Sequence, residues 1–92
     1  MAEKKYLAFD LGAESGRGLV GLFDGERLRL EEVNRFPNGS VRLLDTLHWD
    51  VLRLFSELKR GLAQAVATHG KELSSLGIDT WGVDFEIGRA HV

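Results

Sequence analysis

Apolar residues fall in short blocks broken by turn residues, and one longer block repeats with a different period. Lys5 to Leu11 is apolar on both alternating faces until Asp10, the pattern of a central strand covered on both sides. A second run, Gly18 to Phe23, stops at Asp24-Gly25. Asp-Gly between two strand-like runs signals a hairpin, because a type I′ turn needs positive φ at both positions. From Arg27 to Phe36 the residues alternate: Leu28, Leu30 and Val33 are apolar, with Arg27, Arg29 and Glu31 between. The alternation slips near Glu31-Glu32, where a bulge or the strand's end is expected. The three runs read as an antiparallel meander.

Pro37-Asn38-Gly39-Ser40 is a turn cluster, and residues 41–48 read as a loop or a short extended piece. Asp50 is placed to cap a helix. After it Val51, Leu54, Phe55, Leu58, Leu62, Ala65 and Val66 share one helical face, with Glu57, Lys59 and Arg60 outside that stripe. The spacing predicts about five turns, stopped by Gly70. Leu73 to Asp79 is a further short apolar strand that, like the first, ends in aspartate. The order is therefore β-β-β-α-β. If the helix is a crossover, its flanking strands can be parallel, and Asp10 and Asp79 then end neighbouring strands. Ligands bind open α/β sheets at such carboxyl ends.

Length limits this picture to one small domain, since the chain has 92 residues. A net charge of −2 with acids and bases interspersed argues against nucleic acid as a partner. Cysteine is absent, which excludes disulfides and cysteine-based zinc sites. No signal peptide or membrane span is read, and a cytoplasmic protein is expected. His48, His69 and His91 are too scattered for a metal site. His48 suits a cap-region or packing role, and His69 suits the negative end of the helix. Asp45 and Asp50 read as solvated loop acids, and Trp49 as a core or loop anchor.

The segment Asp10-Leu11-Gly12-Ala13-Glu14-Ser15-Gly16-Arg17 holds the most concentrated chemistry. Gly12 and Gly16 permit close approach of backbone to a ligand and allow positive φ. Successive N–H groups in such a turn can cradle an anion, Ser15 adds a hydroxyl donor, and Arg17 adds a guanidinium for phosphate oxygens. Asp10 repels phosphate but can hold a hydrated Mg²⁺ that binds it. The plainer alternative is a glycine-rich hairpin with Asp10 paired to Arg17 at the surface. The GxxxxGK[ST] spacing and the GxGxxG fingerprint are both absent.

FDLGAESGR, NRFPNG, LHWDV and IDTWGVDF, in this order, resemble the rhamnulokinase branch of the FGGY sugar kinases across residues 5–85. The resemblance implies one truncated lobe of the actin-like ATPase (ribonuclease H-like) fold, with a β-β-β-α-β core. It implies ATP and Mg²⁺ as cofactors and phosphorylation of L-rhamnulose to L-rhamnulose 1-phosphate by the full-length parent. On this basis Gly12, Ala13, Glu14, Ser15, Gly16 and Arg17 contact ATP phosphates, with the Glu14 side chain on the solvent side. Asp10 lies by the metal, Gly82 lies against the sugar, and Asp79 and Trp81 border its pocket. The catalytic base and the adenine pocket are expected beyond residue 92, so the chain alone is expected to be inactive. Residues 86–92, EIGRAHV, can be encoded by the start of a common sequencing-adapter sequence and are expected to be a non-native tail after a first-lobe segment, 1–85. Another sugar kinase of the same family, and a non-catalytic nucleotide-binding half-lobe, remain as alternatives. Neither nucleic acid nor a membrane is an expected partner.

Overall fold

The computed structural model describes residues 3–82. In chain order the elements are β1 (Lys4–Leu11), β2 (Ser15–Phe23), β3 (Leu28–Pro37), β4 (Ser40–Leu43), β5 (Thr46–Trp49), α1 (Val51–His69) and β6 (Ser75–Asp79). β1, β2 and β3 form the expected antiparallel meander, and β6 returns after α1 to pair in parallel with β1. The sheet order β3-β2-β1-β6 makes β1 central and β6 an edge. The fold is mixed α/β, with the β-β-β-α-β order read from the sequence plus one insertion. The expected tail, residues 86–92, lies outside the described residues, as do Asp84 and Phe85.

The insertion sharpens the reading of residues 41–48 as a loop or a short extended piece into two paired strands. β4 and β5 form a separate two-stranded hairpin, with Leu43 opposite Thr46. Its two-residue turn, Leu44-Asp45, carries Leu44 at φ 58. Leucine is disfavoured in that left-handed conformation, so the sequence held no turn signal there.

Leu7, Phe9, Val20, Leu22 and Ala65 make the core, with Val33, Leu58 and Leu73 packed against it. Leu11 and Phe36 are also buried. The core lies between one sheet face and α1. Among the described residues β1 is therefore covered on one face and not on both, and Ala8 and Asp10, which point the other way, are exposed. Leu28 and Leu30 also face outward, 60% and 62% exposed.

Asp50 caps α1 as expected, its carboxylate accepting from the N–H of Arg53 at 3.1 Å. Gly70, at φ 87, ends the helix by donating to Val66 O at 2.8 Å. The stripe holds in part: Ala65 is buried and Leu54, Leu58 and Val66 are half-buried, but Glu57 and Gly61 are buried beside it while Val51, Phe55 and Leu62 are exposed. Gly61 is the cause. A Cβ there would lie 2.6 Å from the Phe9 ring, so the helix touches the sheet along the glycine's line. Glu57 is carried inward beside it and keeps Arg53 and Arg60 within 3.8 and 3.4 Å. The displaced apolar residues Phe55 and Leu62 instead line an open groove with Leu58, Phe9, Leu76 and Ile78.

Two turn readings also change or sharpen. Asp24-Gly25 lies in a four-residue loop in which only Gly25 has positive φ (104°). Asp24 supplies the closure with its side chain, accepting from the N–H groups of Glu26 and Arg27 at 2.9 and 2.7 Å. The expected bulge is present. Gly18 faces Asn34 and Leu19 faces Glu32, so Val33 is the extra residue and β3 continues through it.

Candidate functional site

The β1–β2 connection is a tight turn, with Ala13-Glu14 at its tip and Gly12 N–H donating to Ser15 O at 2.8 Å. Gly12 and Gly16 do not use positive φ, contrary to the sequence reading. At Gly16 the reason for glycine is packing, because a Cβ would collide with the Phe36 ring. At Gly12 a Cβ would press on Ser15 O at 3.0 Å. Glu14 and Ser15 are exposed and Ala13 is half-buried.

Asn38 holds this turn in place, a role the sequence did not disclose. Its backbone N–H donates to Glu14 O at 2.9 Å, and its Nδ2 donates to Gly12 O at 2.8 Å. Two turn carbonyls are thereby directed at the β3–β4 connection. The turn cluster at 37–40 marked Asn38 as a turn residue. Only the pairing of β2 with β3 brings it to the other loop.

Charge is organised across the sheet at the same end. Arg17 is directly opposite Asp10, Asp10 is opposite Asp79, and Arg35 is opposite Arg17. Directly opposed residues share a face. The outer face thus presents a row of two guanidiniums and two carboxylates. Arg17 Nε lies 3.4 Å from Asp10 Oδ2, with the side chains 42% and 52% exposed. That contact is the one a plain surface hairpin would also make, and its exposure keeps it weak. Arg35 donates from Nε and Nη2 to Glu32 Oε1 at 3.1 and 2.7 Å. This bond holds the Glu32 carboxyl below its ordinary range and raises the Arg35 guanidinium.

The donor set suits a hard cation, since Asp10 offers carboxylate oxygens on the exposed outer face. Among the described residues no group of three or more His, Cys, Asp or Glu converges. Mg²⁺ characteristically keeps several waters and takes one or two carboxylates plus substrate oxygens, and Asp10 fits that mode.

Trp81 follows the end of β6 and meets Trp49 of β5, ring centroids 4.6 Å apart and tilted by 50°. Trp49 is thus an anchor to the segment after β6 and not part of the main core. No described atom lies within 4 Å of a Cβ built on Gly82. Of the expected residues, Asp10, Arg17 and Asp79 come together in one row. Trp81 and Gly82 follow directly from it. Asp50 serves as the helix cap, and Asp45 sits in the β4–β5 turn. His48 is exposed on β5. The His69 carbonyl, at the helix end, accepts from Lys5 Nζ at 2.7 Å. His91 lies outside the described residues. Among the described residues no helix is long and apolar enough to cross a membrane.

No family model matches the chain. Among curated proteins it is similar to the rhamnulokinase of Bacteroides thetaiotaomicron, 45% identical over 83 residues, which is 90% of this chain and 17% of that protein. The rhamnulokinase of Oceanobacillus iheyensis is 46% identical over 86% of this chain, again 17% of that protein. That of Halalkalibacterium halodurans is 44% identical over 92% of this chain and 18% of its own length. The chain spans about a sixth of the curated relatives it matches. Along that stretch, about nine tenths of its own length, the chain is similar to rhamnulokinases.

Proposed function

We propose that this chain is the N-terminal part of an FGGY-type sugar kinase that, when whole, phosphorylates L-rhamnulose to L-rhamnulose 1-phosphate with ATP and Mg²⁺ in the cytoplasm. The observation that carries the reading is the Arg17–Asp10–Asp79 row at the carboxyl ends of two parallel strands. It is supported by the likeness to rhamnulokinases along nine tenths of the chain. Transfer of a phosphoryl group needs positioning and charge neutralisation more than covalent chemistry from the protein. The turn Gly12–Ala13–Glu14–Ser15–Gly16–Arg17 supplies donors and a cation for the phosphates. Asp10 would hold the metal, which when bound neutralises phosphate charge. Asp79, Trp81 and Gly82 would form one wall of the sugar pocket. The base that accepts the hydroxyl proton, and the adenine pocket, belong to the part of the kinase beyond this segment. Residues 86–92 are proposed to be a non-native tail.

The test is a chimera in which residues 3–82 replace the matching segment of the Bacteroides thetaiotaomicron rhamnulokinase. It should form L-rhamnulose 1-phosphate from ATP, while the 92-residue chain alone should turn over nothing. Transfer to another ketose in preference to L-rhamnulose would reassign the substrate. Turnover by the short chain alone would refute the absence of the base.

A further inference from the structure

Arg29, Glu31 and Arg35 are spaced by even numbers, so a regular strand would put them on one face. The bulge at Val33 breaks that rule. Glu31 lies opposite buried Val20, on the helix side, whereas Arg35 lies opposite Arg17 on the outer face. Bulges beside functional sites re-aim side chains in this way. The result puts two like charges directly across from each other, an arrangement that by itself destabilises a sheet. Each guanidinium has an acid partner, Arg17 with Asp10 on the neighbouring strand and Arg35 with Glu32 three residues back on its own strand. Both pairs are largely exposed, and such pairs are weak. Two adjacent guanidiniums match the several oxygens of a polyphosphate, which takes paired donors from arginine.

We propose that Arg35 is a second phosphate-binding residue of this site, leaving Glu32 to bind a nucleotide's polyphosphate beside Arg17. The proposal rests on the reading of residues 12–17 as a phosphate loop. Its test titrates the 92-residue chain with sodium tripolyphosphate and follows the Nε–Hε signals of Arg17 and Arg35 by NMR. Both signals should move along one binding curve, and Glu32→Gln, which releases Arg35 without removing it, should tighten binding. In the whole-kinase chimera, Arg35→Gln should raise the KM for ATP about tenfold while leaving the KM for L-rhamnulose and the Tm unchanged. A purely structural role for Arg35 would move Tm and not this split. Movement of Arg17 alone, with an unchanged KM for ATP in Arg35→Gln, overturns the proposal and leaves the phosphate loop standing. If neither arginine responds and Arg17→Gln also leaves that KM unchanged, the loop reading falls and the proposal falls with it.

Discussion

Gly61→Ala sets two effects against each other. Alanine in place of glycine inside a helix gains about 1 kcal/mol. Against this, the new methyl would lie 2.6 Å from Phe9 Cε1, 2.8 Å from Asn34 Oδ1 and 3.0 Å from Phe9 Cζ. The ring edge is hemmed in between Gly61 and Gly18. Phe9 is 2% exposed, and a Cβ built on Gly18 would lie 2.9 Å from the same Cε1, so the sheet already touches it. Forcing an extra carbon into a packed core costs about 1–3 kcal/mol, and contact with two ring atoms and a buried amide oxygen puts this site near the upper value. The net expectation is destabilisation by about 2 kcal/mol, a fall in Tm of about 8–16 °C for a chain this small. Thermal and urea unfolding followed by circular dichroism would measure it. Gly77→Ala is the control, because no described atom lies within 4 Å of its Cβ position. Phe9→Leu, which shortens the obstructing group, should be less costly in the Gly61→Ala background than alone. A Gly61→Ala chain as stable as its parent would refute the view that this glycine sets the distance between helix and sheet.

Asp50→Ala removes the acceptor for Arg53 N–H and should cost about 1 kcal/mol, read as a lower urea midpoint. Asn38→Ala leaves Gly12 O without its Nδ2 partner and should cost about 1 kcal/mol, with faster amide exchange in residues 12–15 and unchanged exchange in α1. The backbone N–H groups of Arg27 and Glu26 lower the Asp24 carboxyl from its ordinary 3.8. Because the folded value is the lower one, this contribution to stability is full above the unfolded value and disappears as pH falls through the folded one. Carboxyl-carbon NMR should therefore place the Asp24 midpoint below 3.8, and Asp24→Asn should flatten stability against pH in that acid range.

The local elements were legible because their signals are local. Strand runs, the Asp50 cap, the Gly70 stop and the slip in β3 all depend on residues within a turn or two of one another. Two of the readings fell short where a side-chain pattern was asked to report a tertiary distance. The stripe from Val51 to Val66 is correctly periodic and its Ala65 is buried, yet the helix also buries Glu57 and Gly61 and leaves Val51, Phe55 and Leu62 exposed, because closest approach follows the smallest residue. Residues 41–48 have no turn signal, yet they pair as a hairpin through a leucine at positive φ. At the candidate site, the composition of residues 10–17 pointed to anion and metal chemistry, which stands as a proposal, and Asp10 and Asp79 were recognisable near strand ends.

What the sequence determined by itself was the order β-β-β-α-β, the identity of the charged turn and the resemblance to sugar kinases. Tertiary structure alone decided which charges stand side by side. Strand register lines up Arg35, Arg17, Asp10 and Asp79, a single bulged residue turns Arg35 to their face, and Asn38 reaches across from another loop to fix the turn. The physical reason is that register is a property of paired strands. Shifting it by one residue reverses every side chain, and no pattern within a single strand records it.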